Sequence, residues 1–95
     1  MPNFTPGKWV KHGDFIIGNT VCLAQVLSVH EHEDDAERNR IEKTANARLI
    51  AAAPEMYEAL ERSLHMLNCY DPNNSVVGVI RELLARIDLP ANVET

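Results

Sequence analysis

Two glycine-led pairs separated by only three residues constrain this chain more than any other feature. Gly13-Asp14 and Gly18-Asn19 divide the first third into short runs at Trp9 to His12, Phe15 to Ile17 and Val21 to Val29, all rich in β-branched, aromatic and apolar residues. Both pairs suit tight hairpin turns that need positive φ. Parallel pairing would require a crossover of a dozen or more residues, and there is no room for one. The spacing therefore predicts a three-stranded antiparallel meander over about 9–29. In its third run Leu23, Leu27 and Val29 share one face, interrupted by Gln25, while Cys22, Ala24 and Val26 share the other. Both faces should then be partly covered.

Helical periodicity follows an acidic bridge, His30 to Glu37, where Asp34 or Asp35 is suited to cap a helix start. Ile41, Ala45, Leu49 and Ala52 or Ala53 recur at spacings of three and four and predict a first helix over about 35–53. Pro54 has no backbone N–H, so it kinks that helix or opens a second over about 54–68, with Met56, Tyr57, Leu60, Leu64 and Leu67 as its stripe. Asp71-Pro72 marks a turn, Asn74 or Ser75 a cap, and Val76 to Ile87 a third helix over about 75–88, stopped before Pro90. Glu58–Arg62 and Glu82–Arg86 have the spacing of helix-surface pairs. Gly78 suggests a point where another backbone comes close. The expected fold class is α+β, with the three helices packed on one face of the meander. With 95 residues there is room for one domain, 1–95, with flexible ends at 1–6 and 91–95.

Two stretches carry a resemblance. Thr5-Pro6-Gly7-Lys8-Trp9, and the sixteen residues from Ala45-Asn46-Ala47-Arg48 through Pro54-Glu55 to Leu60, resemble a widespread family of small phage and prophage proteins. In that family a Thr-Pro-Gly-Pro-Trp opening precedes short strands, and an Asn-Ala-Arg-Leu-Ile-Ala-Ala-Ala-Pro segment leads into Glu-rich helix. Lys8 stands where the family has proline. The resemblance implies a phage-related origin and an accessory role, exerted by binding a protein partner such as a host or defence-system component. It brings no catalytic residue with it.

Charge and motif content narrow the alternatives. A net charge of −5 opposes non-specific nucleic-acid binding, which needs clustered Lys and Arg to displace counterions. A nucleic-acid or nucleotide site would have to use Arg48 with Arg38, Arg40 and Lys43, among which Glu37 and Glu42 intervene. Cys22 and Cys69 form no Cys-x-x-Cys pair and read as buried or half-buried free thiols of a reducing cytosol. No apolar run approaches the ~20 residues of a membrane span, and the N-terminus has no apolar leader, so the host cytosol is the expected location. A small enzyme is the third reading. It is disfavoured because no phosphate loop, nucleophile elbow or His-Glu-x-x-His is present, and His12, His65, Ser28 and Cys69 are scattered.

His30 and His32 would project from the same side of an extended chain. They lack the further ligands of a closed zinc site, so no metal and no cofactor is expected. The candidate binding residues are Trp9, Asn46, Arg48 and Tyr57. Arg48 is suited to a bidentate carboxylate or phosphate contact, or to a structural pairing. Trp9 reads as a plug over the sheet whose N–H needs a partner. Self-association through the alanine-rich helix or an uncovered strand edge is the expected route to a homodimer.

Overall fold

The computed structural model describes residues 3–27 and 36–89. The elements run β1 (Trp9–His12), β2 (Phe15–Gly18), β3 (Val21–Gln25), α1 (Ala36–Ala51), α2 (Ala53–Tyr70) and α3 (Ser75–Ile87). This is the α+β order expected: one antiparallel sheet, β1-β2-β3, then three helices. Among the described residues the chain forms two compact units, one of 5–27 with 36–54, the other of 3–4 with 55–89.

In the first unit, β1 and β2 are joined by Gly13-Asp14, with Gly13 at φ 63°. The second turn is displaced by one residue from its expected place. Gly18 pairs with Val21 as a strand residue, and the loop is Asn19-Thr20, both at positive φ, 50° and 63°. The reason lies across the ladder, where Gly18 is the partner of Trp9. A Cβ on Gly18 would stand 2.9 Å from Trp9 Cδ1, so glycine is what lets the indole lie over the strand. The indole N–H donates to the Thr5 carbonyl at 3.0 Å across a bend in which Gly7 takes φ 87°. Thr5-Pro6-Gly7-Lys8-Trp9 is thus a local clasp on the sheet.

β3 is shorter than expected, ending at Gln25, while residues 28 and 29 lie outside the described chain. Phe15, the first residue of β2, already pairs with Gln25, so no partner strand extends further. Val26 donates its N–H to the Asp14 carbonyl in the preceding turn, at 2.8 Å, and the strand stops there. A bulge opposite Ile16 and Ile17 also interrupts β3.

α1 lies against β1 and β2. Ala47, 1% exposed, meets Ile16, 0% exposed, and Val26, with Trp9, Ala24, Ile50 and Ala51 around them. Lys43 ties the helix to the first hairpin through Asp14, 2.9 Å away. The expected face of α1 is therefore corrected. The Ile41-Ala45-Leu49 stripe points outward, and the side two residues on, about 200° around the axis, faces the sheet. Ala47 and Ala51 on that side allow close approach, which Ile41 and Leu49 at the two ends of the other stripe would prevent.

Pro54 does not kink α1 but opens a new helix. α1 ends with the Ala52 N–H donating to the Arg48 carbonyl at 3.0 Å, and α2 begins at Ala53. In the second unit, Tyr57, Ile80 and Leu84 form the core with Phe4, Leu60, Leu64 and Leu67. Phe4 meets Tyr57 edge to face, ring centroids 5.0 Å apart. Asn74 caps α3, its side-chain oxygen accepting from the Val76 N–H at 2.9 Å. The anticipated close backbone at Gly78 is not found, since a Cβ there would have no neighbour within 4 Å. Neither Glu58–Arg62 nor Glu82–Arg86 forms an ion pair among the described residues.

Candidate protein-interaction surface

Among the described residues, fourteen large hydrophobic side chains are exposed, whereas seven hydrophobic residues are buried. Single exposed apolar groups are ordinary, and contiguous ones are informative. The outer side of α1 is contiguous. Ile41 and Leu49 are 60% and 59% exposed, one turn to either side of exposed Ala45. Arg48 flanks them and has no ionic partner among the described residues. An open hollow of about 280 Å³ runs along this side, lined by Arg40, Ile41, Thr44, Ala45 and Arg48.

A second hollow, about 310 Å³, is more polar and is lined by Asp14, Ala36, Asn39, Arg40, Lys43 and Thr44. Here the cations are already matched. Lys43 pairs with Asp14, and Arg40 with Glu37 at 3.3 Å. Arg38 pairs with Glu42 at 3.2 Å. Of the four basic residues considered for a nucleic-acid site, three are thus engaged by carboxylates. Both open strand edges carry protective features: Lys11 on β1 and the bulge in β3.

The sequence candidates divide between the units. Trp9 is half-buried in the sheet clasp, and Asn46 and Arg48 are exposed on α1. Asn46 and Arg48 are two positions apart, so they leave the helix about 200° apart and cannot hold one small ligand together. Tyr57 belongs to the other unit and is buried, its hydroxyl donating to both Asp88 carboxylate oxygens at 2.7 and 2.8 Å. That hydrogen bond, then burial, then the nearby charges of Asp88 and Glu61 push its pKa up to about 12. Among the described residues no group of three His, Cys, Asp or Glu side chains could hold a metal ion, and no helix is long and apolar enough to cross a membrane. His30 and His32 lie outside the described residues.

Ile41 and Leu49 are the surface residues that periodicity alone assigned to the core. The signal that distinguishes them is that α1 carries apolar residues on two opposite sides, whereas only one side of a helix can face a sheet.

The open surface, the small meander and the three helices describe a small α+β protein with no membrane-spanning helix among its described residues. Residues 1–87 match the family model described as Salmonella phage P22 protein Y8K6, and the chain belongs to that phage protein family. A search of the curated proteins gives no match, and a search of the solved structures gives none.

Proposed function

We propose that the protein is a non-enzymatic phage accessory factor that acts in the host cytosol by binding another protein, with a host or defence-system component as its target. The observation that carries this reading is the outward apolar stripe of Ile41, Ala45 and Leu49 beside Arg48, which has no ionic partner among the described residues. A mostly exposed apolar side chain gains little for folding, and completing its burial against a partner gives it at most about 1.5–3 kcal/mol. Membership of a phage family supplies the biological setting. The competing nucleic-acid reading is weakened because Arg38, Arg40 and Lys43 are already paired.

The test is affinity capture from infected host cells with wild type, Leu49→Asp and Met66→Asp as baits. Met66 is an exposed residue of the other unit and serves as the control. A discrete protein retained by wild type and Met66→Asp, lost with Leu49→Asp and indifferent to chelator, is the expected result. Identical recovery with all three baits would remove the surface from the account.

A further inference from the structure

We infer that the outer side of α1 receives an acidic amphipathic helix of another protein, with its apolar ridge on Ile41, Ala45 and Leu49 and its carboxylates on Arg48 and Arg40. This rests on the protein-binding reading and names the chemistry of the partner.

Charge complementarity selects the occupant. α1 has four basic and two acidic side chains, Arg38, Arg40, Lys43 and Arg48 against Glu37 and Glu42. The whole chain has nine basic and fourteen acidic residues, so the remainder outside α1 is strongly acidic, with five basic against twelve acidic. An acidic segment meets net positive charge on α1, and since Arg38, Arg40 and Lys43 are paired with Glu42, Glu37 and Asp14 that charge is centred on Arg48. At the hollow itself Arg48 has no ionic partner among the described residues, and Arg40 is held by Glu37 in a pair whose side chains are 76% and 79% exposed. Such exposed, solvent-screened pairs contribute little, so a carboxylate that also brings apolar contact displaces them.

A second copy is the poorer occupant. It would set one positively charged helix on another, and an antiparallel pairing centred on Ala45 would put both Arg48 side chains on one flank, about 9 Å apart along the axis. A nucleic acid fits less well too, because its phosphates have no use for the Ile41-Ala45-Leu49 floor beside the arginines.

The test uses the full chain and two fluorescein-labelled helical peptides of about 16 residues, the length of α1. They share one Leu/Ala ridge, flanked by Glu in the first and Lys in the second. Anisotropy titration should show saturable binding of the Glu peptide and binding of the Lys peptide weaker by about tenfold or more. Arg48→Glu and Leu49→Asp should each weaken the Glu peptide by about tenfold, with Met66→Asp unchanged. Arg48→Gln and Leu49→Ser take their place if the far-UV spectrum of either variant departs from wild type. No saturable binding of the Glu peptide, or equal binding of both, overturns the inference. Benzoylphenylalanine at Ala45 or at Val79, photolysed in infected cells, separates this from the broader reading. An Ala45 crosslink to an acidic helix supports both. A crosslink to a non-acidic segment, or one formed only from Val79, overturns the inference and leaves protein binding standing. No protein crosslink from either site, with salt-sensitive binding of duplex DNA, overturns both.

Discussion

One substitution made at two glycines gives opposite signs if the packing described above is right. At Gly18, a new Cβ would lie 2.7 Å from Leu23 Cδ1 and 2.9 Å from Trp9 Cδ1. Carbon atoms settle at about 3.5–4.0 Å, so the indole must retreat by at least about 0.6 Å. The end of the Leu23 side chain can rotate aside. The indole is less free, because its N–H is held by the Thr5 carbonyl at 3.0 Å. A retreat of that size along the bond takes the donor out to about 3.6 Å, beyond hydrogen-bonding range. Overpacking costs about 1–3 kcal/mol and the lost bond about 1, offset by about 0.5–1 from removing glycine's backbone freedom. Gly18→Ala should therefore destabilise by about 1–3 kcal/mol. At Gly78, on an exposed helix position with nothing within 4 Å of the new methyl, only the helix-propensity gain remains. Gly78→Ala should stabilise by about 1 kcal/mol. Urea melts followed by far-UV circular dichroism measure both, and the fluorescence of Trp9, the one tryptophan, reports on the clasp. Should Gly18→Ala match or exceed wild-type stability with unchanged emission, the indole does not lie where it is described.

The remaining predictions concern turns, caps and pH. Thr20 is a β-branched residue at φ 63° in a two-residue hairpin loop, so Thr20→Gly, which creates the favoured Asn-Gly pair, should stabilise by about 1 kcal/mol in thermal melts. Asn74→Ala removes the α3 cap and should cost about 1 kcal/mol in the same assay, with serine at 74 restoring most of it. Tyr57 has its pKa raised from 10.0 to about 12 in the folded chain, so the neutral phenol is the form that folding favours. Its contribution is full below pH 10 and is lost as pH rises towards 12. Tyr57→Phe should lower stability at neutral pH by about 1 kcal/mol and flatten the alkaline loss, as read from denaturation midpoints across that window.

Much of the architecture was legible because local chemistry and spacing agreed. Glycine pairs three residues apart left only hairpins, Pro54 could only interrupt or begin a helix, and Asn74 had the side chain a cap needs. Element order and most boundaries follow from those residues. The departures come from tertiary effects that periodicity does not see. Gly18 looked like a turn residue, yet its lack of a side chain serves Trp9 across the ladder, and this moved the turn to Asn19-Thr20. β3 ended early because its neighbour β2 is only four residues long. On α1 the sequence offers two apolar sides, and the bulkier one, with Ile41 and Leu49, looked like the core. The sheet took the smaller one, where Ala47 allows backbone to approach Ile16. That choice converts an expected core stripe into the candidate surface. Among the site candidates, the exposure of Arg48 followed from its place on a helix, whereas the partner of Tyr57 did not. Asp88 lies thirty-one residues away, and nothing in the spacing announces the contact.

The orientation of α1 decides the functional account, and thiol reactivity measures it directly. In a Cys22→Ser, Cys69→Ser background, which removes two free thiols that are exposed and not buried as their residue type suggested, single cysteines are placed by Ile41→Cys, Ala47→Cys and Leu49→Cys. Each is then reacted with a thiol reagent under native conditions. Positions 41 and 49 should label at close to the unfolded rate, and position 47 more slowly by about a hundredfold or more, since it reacts only when the sheet unit opens. Protection at 49 with rapid labelling at 47 would mean that the helix presents its other side, and the proposed surface would be core.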